Sequence, residues 1–164
     1  MNIFFVHKDP RTSARMLCDK HICKMILESV QMLCTAWSEE EAPKTCGASH
    51  VNHPCSRWAR ETSGNYNWLS EHVLELSKEY TKRYGKVHAW QGAVDWLHDN
   101  NPFVVHNKPC RPMTTKPQCM PAYCKVDGDP IQAYRNYYIN EKSYMAKWKN
   151  STTPKWYEEA LETV

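Results

Sequence analysis

Glycine is scarce in this chain, since only five of its 164 residues are glycine and they lie far apart. A glycine-rich phosphate-binding loop is therefore not expected. Long apolar runs are also missing, because no stretch approaches the roughly 18 residues that a membrane-spanning helix needs. The opening MNIFFVHKD lacks the basic start and the long apolar segment of a signal peptide. We expect a cytoplasmic protein, in the host cytoplasm if the chain is viral, with no membrane partner.

Strong charge of one sign is absent as well: 21 basic residues against 18 acidic ones give a formal net charge of +3. This small excess permits nucleic-acid binding without requiring it. The eight cysteines need not form disulfides, because a chain of this length can bury a core without them, and we expect reduced thiols. The best fourfold set for zinc is His106, Cys110, Cys119 and Cys124. Its spacing matches no standard zinc motif, so we predict no metal and no cofactor.

Helical periodicity dominates the rest of the sequence. NIFFV at residues 2–6 is predicted to form a strand or an extended arm. Pro10 allows a first helical turn, and no glycine or proline interrupts residues 12–37, which are predicted to form one central helix. A second helical region, with a break near Ser63–Asn65, carries an apolar stripe and is predicted to end at the cap Gly85. The stripe consists of Leu69, Val73, Leu76, Tyr80 and Tyr84.

Proline marks the remaining boundaries. Residues 86–98 are predicted to form a short helix, and two further helices are predicted to begin where Asp129 precedes Pro130 and Thr153 precedes Pro154. Residues 38–54 are predicted to form a loop. Residues 100–126 contain five prolines among basic residues and are predicted to form a long, basic, proline-rich loop. The sum is an all-α single domain over residues 1–164, with four or five helices and little or no sheet.

The central helix contains an unusual polar group in the stretch DKHICKMILES. At about 100° per residue, His21, Lys24, Met25 and Glu28 share one side of the helix. A second side is also apolar, which predicts a helix through the middle of the domain. Lys24 and Glu28 would form only a weak ion pair, and a lone histidine is often a core residue. Together, however, His21 and Glu28 offer a proton carrier and a carboxylate for acid–base chemistry.

Several short motifs occur in an order that resembles the pyrimidine-dimer DNA glycosylase family. They cover most of the chain except residues 38–50 and the proline-rich loop. They are Asp19 with His21 and Glu28; Asn52, His53 and Pro54 with Arg57 and Trp58; Arg83, Tyr84 and Gly85; and Pro154, Lys155, Trp156 and Tyr157.

This resemblance implies a bifunctional glycosylase and abasic-site lyase that takes a nucleotide out of the DNA stack. In that family the α-amine of the chain attacks the sugar C1′ and displaces the base through an imine, and a glutamate handles protons. By position, Glu28 is that glutamate, His21 is the active-site histidine and Met1 carries the amine. Lys24 is the alternative imine former, although a lysine needs desolvation for this role.

The resemblance also implies a DNA-binding surface. His53 and Arg57 are expected at the DNA backbone, with Trp156 and Tyr157 near the duplex. Aromatic residues mixed with basic ones suit base stacking beside phosphate contacts. The further predicted nucleic-acid or substrate contacts are Asn2, Lys20, Tyr66, Trp68 and Lys116. Leu27 and Gln31 stand where the family carries basic residues, which favours a damaged or modified base over a photodimer.

Two alternatives stay open at this point. One is an enzyme that acts on a free nucleotide or nucleoside on the same fold, in phage DNA hypermodification or counter-defence. The other is a non-catalytic nucleic-acid-binding protein. The predicted partner is accordingly duplex DNA with a flipped base, or a nucleotide.

Overall fold

A computed structural model shows an all-α fold, as predicted. It describes residues 1–43 and 47–163. Residues 44–46 of the predicted 38–54 loop, which include Cys46, lie outside the described residues. The described ranges contain eight α-helices and no strand, so the helix number exceeds the predicted four or five. The helices are α1 (Pro10–Met16), α2 (Asp19–Cys34), α3 (Pro54–Glu61), α4 (Ser63–Tyr84), α5 (Gln91–Asp99), α6 (Pro102–Val105), α7 (Pro130–Tyr137) and α8 (Lys155–Glu162). A 3₁₀ turn spans Ala122–Cys124, and a π-helical turn spans Tyr138–Lys142.

The predicted continuous central helix is wrong, because the chain breaks between α1 and α2. Leu17 and Cys18 are both extended, with ψ values of 144° and 164°. Contacts from distant residues hold this break: Arg83 Nη1 donates to the Leu17 carbonyl at 2.8 Å, and the Cys18 amide donates to the Tyr138 hydroxyl at 3.2 Å. Arg83 is fully buried and also pairs with Asp19 at 3.1 Å. Neither glycine nor proline is needed for a break that tertiary contacts impose.

Helix α4 packs against α1 and α2 and contributes several core residues, among them Leu69, Val73 and Leu76. The Thr62 side chain accepts from the Asn65 amide at 3.1 Å, which begins the helix close to the predicted break. Gly85, with φ at 70°, ends it in the left-handed region, as predicted. The helix predicted over residues 86–98 is α5, and its Val94 and Leu97 are buried.

The proline-rich loop lies against the start of α4 and includes α6 and the 3₁₀ turn. The amide of Gly64 donates to the Arg111 carbonyl at 3.0 Å, and a Cβ on Gly64 would lie only 2.7 Å from the Met113 nitrogen. Thr114 accepts from the Asn65 side chain at 2.8 Å and from the Trp58 indole at 3.2 Å. The loop is therefore fastened to α3 and α4.

The C-terminal helices follow the proline signals with one small difference. Asp129 accepts from the Gln132 amide at 3.1 Å and Pro130 is the first residue of α7, as predicted. Helix α8 begins at Lys155, so Pro154 rather than Thr153 occupies the capping position. Among the described residues, no helix combines the length and the apolarity that crossing a bilayer requires.

Candidate active site

The N-terminal arm is extended and buried, and Asn2 anchors it. Asn2 Nδ2 donates to the Cys119 carbonyl at 2.8 Å, and Asn2 Oδ1 accepts from the Tyr134 hydroxyl at 2.8 Å. Residues 3–6 behind it are buried in the core. Asn2, a predicted substrate contact, therefore uses both atoms of its amide to fix the position of the residue before it.

The α-amine of Met1 lies against Glu28. The nitrogen is 2.9 Å from Glu28 Oε1, and the side chains of Met1 and Glu28 are 1% and 12% exposed. The other oxygen, Glu28 Oε2, is buried and has no hydrogen-bond partner among residues 1–43 and 47–163. The carboxylate thus holds the amine with one oxygen and keeps the second one available.

His21 lies about two helical turns before Glu28 on the same face of α2, and aromatic residues hold it in place. Its ring stacks on Phe4 with a centroid distance of 4.1 Å, and its Nδ1 is 2.5 Å from the Tyr138 hydroxyl. Burial lowers the pKa of His21 to about 3, and the positive charges of Lys142 and Lys24 act in the same direction. The imidazole is therefore neutral at ordinary pH.

These groups line a pocket of about 150 Å³. Its lining consists of Met1, Asn2, Phe4, His21, Lys24, Met25, Glu28, Tyr137 and Lys142. Two lysines and two aromatic rings thus share a pocket with an amine and a carboxylate, a combination that suits phosphate and base contacts. Larger cavities, of about 230 to 330 Å³, lie elsewhere on the described chain, but they contain neither the α-amine nor Glu28.

The π-helical turn supplies site residues that the sequence prediction missed. It brings Tyr138 onto His21, and it brings Lys142 into the pocket with its Nζ 4.9 Å from the centre of the Tyr137 ring. Turns of this type are rare and often occur at functional sites. The only sequence feature that pointed to Tyr138 and Lys142 is the mixture of aromatic and basic residues in YRNYYINEK.

The predicted backbone contacts His53 and Arg57, and the predicted nucleic-acid or substrate contact Lys20, all lie outside the residues that line the pocket. Lys20 and Arg57 are exposed, and His53 is half-buried at the start of α3, where its Nδ1 accepts from the Cys55 amide at 3.1 Å. Burial lowers the pKa of His53, and the positive charge of the α-amine lowers it further. His53 is therefore an electrostatic neighbour of Met1.

The predicted aromatic contacts lie largely in the core. Tyr66 is fully buried and its hydroxyl donates to the Leu97 carbonyl at 2.8 Å, while the Trp68 indole donates to the Lys8 carbonyl at 2.9 Å. Lys116 is half-buried above the Trp68 ring at 5.9 Å, and burial lowers its pKa. The polar atoms of Tyr66 and Trp68 thus serve the fold.

The C-terminal pair packs onto the helices. Tyr157 is buried, and the Trp156 indole donates to the Met16 sulfur at 3.4 Å. The guanidinium of Arg135 lies 5.3 Å from the centre of the Trp156 ring. A DNA contact by this pair stays a prediction.

The residues considered for zinc are not brought together. His106 pairs with Glu41 at 2.8 Å, Cys110 is exposed, and Cys124 is buried near Asn140. Cys119 instead lies 3.7 Å from Cys55, measured between the sulfurs. The hydrogen bond with Cys55 lowers the pKa of the Cys119 thiol to about 7.

The protein is thus all-α and holds an amine and a buried carboxylate in one small pocket. A comparison with protein-family models matches residues 1–98 to the family described as pyrimidine dimer DNA glycosylase. The match covers more than half of the chain, so the chain belongs to this family, as the resemblance predicted. Membership supports a DNA glycosylase-type enzyme with DNA as its partner. Comparisons with curated proteins and with solved structures find no match.

Proposed function

We propose that the chain is a DNA glycosylase and abasic-site lyase that acts on a damaged or modified base through the α-amine of Met1. The observation that carries this proposal is the 2.9 Å contact between the Met1 nitrogen and Glu28 Oε1. An α-amine is a better nucleophile than an ordinary lysine near neutral pH, since its usual pKa is about 8 rather than about 10.4.

The proposed reaction has two stages. The lone pair of the amine forms a bond to the sugar C1′ while the glycosidic bond breaks, and the departing base takes up a proton. The nitrogen then loses a proton, the C1′–O4′ bond of the sugar ring breaks as the ring oxygen takes up a proton, and a protonated imine forms at C1′. In the second stage Glu28 Oε2 accepts a proton from C2′, the C3′–O bond breaks, and the 3′ phosphate leaves. Water hydrolyses the imine and restores the amine.

The remaining pocket residues support this chemistry. His21 is neutral, so it adds no positive charge beside the amine. Lys24 and Lys142 replace, from other positions, the basic residues missing at Leu27 and Gln31, and we propose that they contact phosphates. Tyr137 offers part of its ring as a wall for an extruded base.

Borohydride trapping on duplex DNA with an abasic site tests the mechanism. We expect a covalent adduct that peptide mapping assigns to Met1. Lys24→Arg, which keeps the positive charge but removes the competing primary amine, should still form the adduct. Acetylation of the α-amine should abolish it.

Two results would count against the proposal. An adduct on Lys24 would move the nucleophile away from Met1. The absence of any adduct, under conditions in which a known lyase is trapped, would remove the lyase mechanism.

A further inference from the structure

His53, Cys55 and Cys119 form a cluster next to Asn2 of the N-terminal arm. Cys55 is in the first turn of α3, His53 precedes it, and Cys119 comes from the proline-rich loop. One nitrogen or sulfur atom from each residue lies within 4.8 Å of the others, and the two sulfurs are 3.7 Å apart. It is the only group of three or more His, Cys, Asp or Glu residues with metal-ligand spacing found in the part of the chain that is described.

We propose that these three residues form a binding site for a divalent transition-metal ion, with zinc as the best fit. Two sulfurs that bind one tetrahedral zinc at about 2.3 Å lie about 3.8 Å apart, which agrees with the 3.7 Å between Cys55 and Cys119. Thiolate and imidazole ligands select zinc or cobalt over magnesium and calcium, which prefer oxygen.

The protonation changes are simple to balance. On binding, Cys55 and Cys119 each release one thiol proton to solvent and give an electron pair of sulfur to the metal. His53 Nδ1 already presents a lone pair, because it accepts from the Cys55 amide at 3.1 Å. In the proposed site the metal takes the place of the Cys55 amide as the partner of this lone pair.

The surroundings of the cluster hold its ligands in position. The Cys119 amide donates to the Tyr134 hydroxyl at 3.2 Å, and the Cys119 carbonyl accepts from Asn2 at 2.8 Å. Asn2 Oδ1 lies 3.7 Å from the Cys55 sulfur but already accepts from the Tyr134 hydroxyl, so we expect a water to complete the four ligands.

A metal ion there would join three separate parts of the chain. It would tie α3 and the proline-rich loop to each other, and through Asn2 to the arm that ends at the α-amine. The site is structural in this sense, and it stands independently of the reaction proposed above.

Cobalt titration of the reduced, full-length protein tests the site. We expect one Co²⁺ per chain, with the sulfur-to-cobalt charge-transfer absorption and the visible bands of a tetrahedral thiolate site, and displacement by Zn²⁺. Cys119→Ser should remove the charge-transfer band of that pair and weaken binding at least tenfold. Cys110→Ser is the matched control, because Cys110 is exposed in the same loop and lies outside the cluster, and it should bind as the wild type does.

Zinc should also raise the melting temperature of the wild type and of Cys110→Ser, but not of Cys119→Ser. Circular dichroism checks that each variant is folded. Equal cobalt binding by the wild type and Cys119→Ser would overturn the proposal. The proposal would also be overturned if the reduced wild type bound no cobalt and air instead oxidised Cys55 and Cys119 to a disulfide, with loss of two hydrogens to oxygen.

Discussion

Replacement of Glu28 by glutamine separates the stabilising role of this carboxylate from its proposed role in catalysis. Glutamine keeps an oxygen that can accept from the Met1 amine but carries no charge. Because the Glu28 side chain is only 12% exposed, solvent screens the ion pair weakly. A charge-assisted hydrogen bond contributes about 1.5–3 kcal/mol and a neutral one about 1 kcal/mol, so we expect the free energy of unfolding to fall by about 1–2 kcal/mol.

Strand cleavage should suffer far more than stability. Loss of a positioned proton carrier typically costs roughly 10²–10⁴-fold in rate. The assay is single-turnover cleavage of duplex DNA with one abasic site, beside a thermal melt of the same preparation. Glu75→Gln is the matched control: Glu75 is also buried and pairs with Arg15 at 3.0 Å, but on α4 and outside the pocket.

We expect Glu75→Gln to lose less stability, because its partner Arg15 is 54% exposed and solvent screens that pair more, and to cleave DNA at the wild-type rate. Unchanged cleavage by Glu28→Gln would refute the reasoning. Equal loss of cleavage in both variants would show that destabilisation, rather than proton transfer, is the cause.

Three further predictions concern the loop, the histidine and the partner. Gly64→Ala should lower the free energy of unfolding by about 1–3 kcal/mol, because the new Cβ would lie only 2.7 Å from the Met113 nitrogen. Gly92→Ala is the control: Gly92 lies in α5 with open space around it, so this change should be neutral or stabilising in the same denaturant titration. Equal effects of the two substitutions would contradict this reasoning. The folded-state pKa of His21, about 3, lies below its usual 6.5, so protonation favours the unfolded chain and stability is lost as pH falls below 6.5. Between pH 7 and 5 the wild type should lose about 2 kcal/mol more than His21→Gln, and equal losses would refute the buried, neutral imidazole. Affinity for duplex DNA should fall steeply with salt, whereas salt-insensitive thermal stabilisation by a free nucleotide would favour the alternative nucleotide enzyme.

The sequence predicted those parts of the fold whose signals are local. The apolar stripe predicted α4, and Gly85 after it predicted where this helix ends. Asp129 before Pro130 predicted the start of α7. The break at Leu17 was not predictable in this way. It depends on Arg83, which is 66 residues away in the sequence.

The candidate site shows the same division. His21 and Glu28 share a face of one helix, so periodicity was enough to pair them. The contact between Met1 and Glu28 depends on how the arm is anchored, and Tyr138 and Lys142 enter through a π-helical turn. Tyr66 and Trp68 show the limit of composition, because aromatic residues that stack on bases and aromatic residues that fill a core look alike in a sequence.

The anchoring of the arm also bears on the order of folding. Asn2 is held by Cys119 and Tyr134, at sequence separations of 117 and 132 residues, and both partners lie beyond the family-matched segment 1–98. Contacts that close such long loops carry a larger entropic cost than local ones and tend to form late. The amine would then meet its carboxylate only after the last third of the chain has folded. In a partly folded chain the α-amine, the proposed nucleophile, would therefore sit at a free end of the chain, outside the pocket that contains Glu28 in the folded protein.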